Sequence, residues 1–160
     1  MIRVNVICVG KLKEKYLKDA IAEYTKRLGA YCKFTVIEVD EEKTNDDPND
    51  AGISAILDAE GKRILSKTDR SDLVIAMCIE GKHLSSPKLA KYISDAAVGG
   101  TSTIDLIIGG SWGLSEEVKS RAKLRLSMSE MTFPHQLARV MLCEQLYRAF
   151  SINAGSKYHK

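Results

Sequence analysis

Apolar residues along the chain fall into blocks of two kinds, and the two kinds alternate. Residues 2–9 form a β-branched apolar run that stops at Gly10, the pattern of a buried strand. Over 14–28, Leu17, Ala20, Ile21, Tyr24 and Leu28 recur at helical spacing, with Gly29 just past the end. Residues 34–39 predict a second strand, and 40–50, which contain Pro48, predict a loop. Ile53, Ile56, Leu57, Ile64 and Leu65 share one face of a helix over 53–66, although Gly61 weakens its middle. Residues 72–79 are almost continuously apolar, as a parallel strand covered on both faces would be. Ser86 as a cap and Pro87 in the first turn predict a helix over 86–97. Residues 103–108 predict another strand, ending in Gly109 and Gly110. Ser115 with Glu116 and Glu117 opens a short helix to 122, and 124–128 predict a last short strand. The longest predicted helix covers 134–152, and its apolar residues point to more than one side.

Alternation of this kind predicts one α/β domain over 1–160, with a mostly parallel sheet, helices on both faces and right-handed crossovers. Such sheets bind ligands outside the carboxyl ends of their strands, which directs attention to the segments after Ile79, Ile108 and Met128. A final helix that is apolar around most of its girth has to be covered on several sides. In a chain of 160 residues a second copy can supply part of that cover, so a homodimer is expected.

The composition, 44% hydrophobic and 28% charged, is that of a globular protein and excludes a disordered or fibrous chain. No apolar run approaches the roughly 18 residues needed to span a bilayer. At the N-terminus the apolar block precedes Lys11, Lys13 and Lys15, the reverse of a secretory signal, so a cytoplasmic protein with no membrane contact is expected. The net charge of +3 says little, but its distribution says more. Residues 40–50 carry six acids and one lysine, whereas 119–160 carry eight Lys or Arg against Glu130 and Glu144. Such asymmetry suits a polyanion such as RNA, and equally a solvated surface. Cys8, Cys32, Cys78 and Cys143 show no CxxC spacing and read as small hydrophobes in a reducing compartment. His83, His135 and His159 are not spaced to complete a zinc site, and no metal is expected.

Four segments could carry chemistry. Gly109-Gly110-Ser111-Trp112-Gly113 follows a buried strand and could bring backbone N–H groups to a ligand, but it is neither GxGxxG nor a P-loop. Residues 126–135 join the last strand to the long helix, with Thr132 as a candidate cap and His135 at the helix N-terminus, where the dipole disfavours a protonated ring. On that helix Glu144 precedes Arg148 by four, the stabilising order for an ion pair, which could orient Arg148 toward a phosphate or base. The terminal Lys157-Tyr158-His159-Lys160 combines an aromatic, an imidazole and two lysines, a set able to stack on a base and hold phosphates. Each segment also has a plain structural reading, as a turn, a cap, an ion pair and a tail.

Taken together, VGKLKEKY, IGGSWGL, LSMSEMTFPHQLARVMLCEQLYRAF and the terminal YHK resemble the ribosomal RNA large subunit methyltransferase H family, over nearly the whole chain. That family belongs to the SPOUT methyltransferases, whose C-terminal part forms a trefoil knot. The resemblance implies a homodimer that transfers a methyl group from S-adenosylmethionine to N3 of a pseudouridine in 23S ribosomal RNA, within the assembled ribosome. It places cofactor contacts on Met77, Gly109, Met128, Ser129, Glu130, Met131, Thr132 and Phe133. It gives His135, Arg148, Tyr158 and His159 roles near the RNA. Glu130, His135 and His159 are the nearby candidates for a base, and Trp112 is assigned no role. Two rival readings are a ribosome-binding assembly factor without catalysis and a small-molecule nucleotide-binding enzyme.

Overall fold

The computed structural model describes residues 1–160 and contains ten elements in strict alternation. They are β1 (Arg3–Val9), α1 (Lys15–Leu28), β2 (Lys33–Val39), α2 (Asp50–Thr68), β3 (Leu73–His83), α3 (Ser86–Val98), β4 (Thr103–Ile108), α4 (Glu116–Arg121), β5 (Leu124–Ser127) and α5 (His135–Asn153). The strands form one sheet in the order β2-β1-β4-β3-β5, and every pairing is parallel. The three inner strands are the near-continuous apolar runs, because both of their faces are covered. On one face Val4, Val6, Ile75 and Leu106 pack with Leu28 of α1, Ile93 of α3 and Leu146 of α5. On the other, Ile7, Val74 and Ile107 pack with Ile64 of α2 and Val118 of α4. Inside this apolar sheet, Asn5 Nδ2 donates to Asp105 Oδ1 at 2.7 Å, joining β1 to β4, and burial raises the Asp105 pKa.

Three expectations need correction. The α3 cap is Ser85, whose side chain accepts from the Lys88 N–H, so Ser86 is already helical. Thr132 does not cap α5, because the residue before the helix is Pro134 and no side chain bonds there. The third strand does not stop at Ile79. Leu126 of β5 pairs first with Met77 and again with Lys82, and His83 pairs with Ser127. Residues 78–81 therefore arch across β5 so closely that a β-carbon at Gly81 would lie 2.8 Å from backbone atoms of Arg125 and Leu126.

The acidic loop is pinned to α2. The Asp40 carbonyl accepts from Arg63, the Glu42 carboxylate pairs with Arg63, and the Glu42 N–H donates to Glu60 at 3.0 Å. Asn49 caps α2 through Gly52. Helix α5 packs against α1 and α3, so much of its apolar girth is covered within the chain itself. No helix is long and apolar enough to cross a membrane.

Candidate active site

The carboxyl end of β4 runs directly into the glycine segment. An antiparallel bridge between Gly110 and Gly113 closes a tight turn, with the Gly113 N–H donating to the Gly110 carbonyl at 3.1 Å. Gly113 has φ +85°, and a β-carbon on Gly109 would stand 2.4 Å from the Gly113 carbonyl oxygen, so these two positions require glycine. Beside it, β5 leads into a second turn stabilised by its own serines. Ser127 Oγ donates to the Ser129 carbonyl at 3.0 Å, and Ser129 Oγ accepts from the Met131 N–H at 3.0 Å.

These two turns and the arch of β3 enclose a cavity of about 700 Å³, within the size range of small-molecule sites. Its floor is apolar, from buried Ile108, Leu114 and Leu126. At its mouth stand large apolar side chains left open to solvent, Ile79, Trp112 and Met131, the last 72% exposed. Of the residues singled out in the sequence, Met77, Gly109, Met128, Ser129, Met131, Thr132, Phe133 and His135 all line this one cavity. Glu130 is exposed and is not part of its wall.

Besides Ser111, Ser127, Ser129 and Thr132, the wall carries a few titratable groups. Lys119 Nζ lies 2.6 Å from Glu80 Oε1; the hydrogen bond raises the lysine pKa and lowers that of the carboxylate. Burial pushes up the half-buried Cys78 thiol. Burial also lowers the His135 pKa, outweighing the opposite pull of Glu41, so the ring is neutral at neutral pH. Desolvation is thus the leading cause of that shift, where the sequence pointed to the helix dipole. Behind His135, Arg139 is buried with only 1% exposure, pairs with Glu38 at 2.7 Å and donates to the Gly10 carbonyl at 3.1 Å.

A family profile described as "Predicted SPOUT methyltransferase" matches residues 2–159. Ribosomal RNA large subunit methyltransferase H of Streptococcus thermophilus (strain CNRZ 1066) is 56% identical over 158 residues, which cover 99% of each chain. The protein of that name from Clostridium novyi (strain NT) is 53% identical over 157 residues, covering 98% of this chain and 99% of the other. This chain belongs to the SPOUT methyltransferases, in the ribosomal RNA large subunit methyltransferase H family. A solved structure of a probable methylase family protein from Haemophilus influenzae Rd KW20 superposes with a TM-score of 0.53 at 14% identity, over 99% of this chain and 70% of that one. That likeness shows the fold alone.

In this methyltransferase family member the other expected residues, Arg148, Tyr158 and His159, stand away from the first cavity, in a cluster of their own on α5 and the tail. Arg148 bonds Glu144, its guanidinium lies 4.7 Å from the Tyr158 ring centroid, and His159 Nδ1 lies 3.3 Å from Arg148 Nη1. Glu144 lines a second cavity, of about 530 Å³, which shares Met77, Leu126, Ser127 and Met128 with the first. The two groups of residues therefore lie on either side of one wall. Sequence reasoning missed Lys119, Leu114 and Ala138 in the first cavity. Leu114 and Ala138 carry no signal beyond ordinary core residues; Lys119 is one of many lysines, and only the fold brings Glu80 to it.

Proposed function

We propose that this chain transfers a methyl group from S-adenosylmethionine to ribosomal RNA of the large subunit, the activity that the names of its relatives state for them. The observation that carries the reading is the cavity between the arch of β3 and the carboxyl ends of β4 and β5, which all the expected cofactor residues except Glu130 line. Its lining fits that cofactor. The buried apolar floor suits a flat heteroaromatic ring, the turn from Gly109 to Gly113 leaves backbone where side chains would intrude, and the imidazole in the wall is uncharged toward a sulfonium cation. When bound, S-adenosylmethionine supplies an electrophilic methyl carbon for in-line displacement. The protein's task is then to align donor and acceptor, which can supply several kcal/mol of the barrier. Met77, Gly109 and the 128–133 turn hold the donor, while Ile79, Trp112 and Met131 at the mouth exclude water once an acceptor base enters.

The acceptor nitrogen must lose a proton. Among Glu130, His135 and His159, only His135 lines the cavity, and its neutral ring keeps one nitrogen free to accept that proton. Arg148, Tyr158 and His159, in their own cluster away from the donor cavity, contact the RNA. The finer parts of the reading are N3 of a pseudouridine in 23S ribosomal RNA as acceptor, the assembled ribosome as substrate, a homodimer as the working unit, one domain over 1–160 and a cytoplasmic location. A trefoil knot belongs to the same reading, and its support is the double grip of β3 on Leu126 either side of the arch.

The test is methyl transfer from labelled S-adenosylmethionine to whole ribosomes, separated large subunits and free ribosomal RNA from a strain lacking the gene. Label on a single large-subunit nucleotide, strongest with whole ribosomes, is the expected outcome. Cofactor binding without label on any acceptor would sink the reading and favour an assembly factor that has lost catalysis.

A further inference from the structure

The tail, the long helix and the second cavity meet at Glu144. Its Oε1 accepts from three donors: Arg148 Nε at 3.0 Å, Arg148 Nη2 at 2.6 Å and the Tyr158 hydroxyl at 3.1 Å. Its Oε2 accepts from Gln145 Nε2 at 2.7 Å. An ordinary ion pair along a helix joins two side chains of that helix. This one also captures a residue fourteen positions further along the chain, beyond the end of α5. The captured Tyr158 packs its ring against Tyr147, with centroids 4.7 Å apart, and lies over the Arg148 guanidinium, whose last nitrogen faces His159. Burial and the hydrogen bond to Glu144 raise the Tyr158 pKa, so the phenol remains a donor through neutral pH.

We infer that Glu144 is a positioning residue, which holds Arg148, Tyr158 and His159 together as one preassembled surface for the RNA. The inference rests on the reading of this chain as an RNA methyltransferase. Its physical basis is the cost of ordering a terminal segment: a free tail pays that cost when RNA binds, and a tail already anchored does not.

An acid beside an RNA-contacting surface also has a simpler effect, repulsion of phosphates, and the two roles predict opposite signs. Glu144→Gln removes the charge and keeps the shape. Repulsion alone predicts tighter ribosome binding and a lower KM for the RNA acceptor. Positioning predicts a fall in kcat/KM for the ribosome of about 10- to 100-fold, the scale set by small misplacements of reacting groups. Affinity for S-adenosylmethionine, measured by calorimetry, is expected to stay unchanged. Tyr158→Phe keeps the ring, removes one of the three donors and is expected to fall between wild type and Glu144→Gln.

Amide hydrogen exchange at Ser156 and Tyr158, whose N–H groups donate to the Ser151 carbonyl and to Ser156 Oγ, reads the anchor without any turnover, and it is expected to quicken in both variants. Unchanged exchange overturns the inference, as does faster exchange with kcat/KM for the ribosome equal to or above that of wild type. A wild-type protein that methylates no ribosomal acceptor overturns the functional reading together with the RNA role of Glu144. The exchange data distinguish that failure from a failure of the anchor.

Discussion

Replacing Gly109 by alanine tests the link between backbone geometry and cofactor binding. The added methyl carbon would lie 2.4 Å from the Gly113 carbonyl oxygen, 2.6 Å from its carbonyl carbon and 3.1 Å from its Cα. All three are backbone atoms, so no side chain can swing aside. Carbon contacts are at rest near 3.5–4.0 Å, so the turn must open by about 1 Å. Overpacking of this kind costs about 1–3 kcal/mol, and losing the hydrogen bond between Gly110 and Gly113 adds about 1 kcal/mol. For a chain of 160 residues a total of about 2–4 kcal/mol lowers Tm by roughly 5–15 °C. If the closed turn forms one wall of the cofactor site, the Kd for S-adenosylmethionine rises at least about tenfold, equivalent to 1.4 kcal/mol. Gly100→Ala serves as control: its φ of +97° also requires a glycine, but its β-carbon would meet nothing within 4 Å and it lies in the α3–β4 loop. That variant is expected to lose some stability and no cofactor affinity. Thermal denaturation and calorimetry on both variants decide the matter. A Gly109→Ala protein as stable as wild type, or one that binds the cofactor as tightly, refutes the reasoning.

Three further predictions follow from the wall of the cavity and its support. Burial holds His135 below its ordinary pKa of 6.5, so the unfolded chain takes up a proton there before the folded one does. Its contribution to stability is therefore intact above pH 6.5 and is lost as pH falls toward the folded pKa; Tm measured between pH 7.5 and 5.5 should drop more in wild type than in His135→Asn, and equal slopes would contradict this. Arg139→Ala removes the buried donor shared by the part-exposed Glu38 carboxylate and the Gly10 carbonyl, a loss of charged hydrogen bonds that costs about 1.5–3 kcal/mol, and a Tm loss under about 3 °C would contradict the assignment. Trp112 is the chain's single tryptophan and lines the cavity, so its emission should shift on saturation with S-adenosylhomocysteine, and an unchanged spectrum at saturation would place the ligand elsewhere.

The order and type of every element were legible because each apolar block had a distinct period, and the sheet rule then pointed to the segments that line the first cavity. Boundaries failed where backbone rather than side chains decides. The extension of β3 through Glu80-Gly81-Lys82-His83 has no apolar signature, since it exists to pair with β5 across an arch. Thr132 has the chemistry of a cap, but the chain reaches α5 through Pro134 instead. Buried polar groups were the least visible. Asn5 and Asp105 stand at matching positions of two apolar strands, a signal that could have been read. Arg139 and Glu60, at 1% and 4% exposure, look like any other charged residues on a helix, because only tertiary packing makes them interior. The tail's order is invisible locally for the same reason: its anchor, Glu144, is fourteen residues away.

The order in which the sheet assembles constrains when this protein can act. β1 pairs with β2 about 30 residues after it is made, but its other neighbour is β4, and the bond between Asn5 and Asp105 spans a separation of 100 residues. At a synthesis rate of roughly 5–20 residues per second, β1 waits on the order of 5–20 s for that partner. Both turns that bound the first cavity come from the last third of the chain, after Ile108. A nascent or prematurely terminated product can therefore carry most of the residues and still lack the first cavity. Methyl transfer becomes available only to chains whose synthesis has run almost to the end.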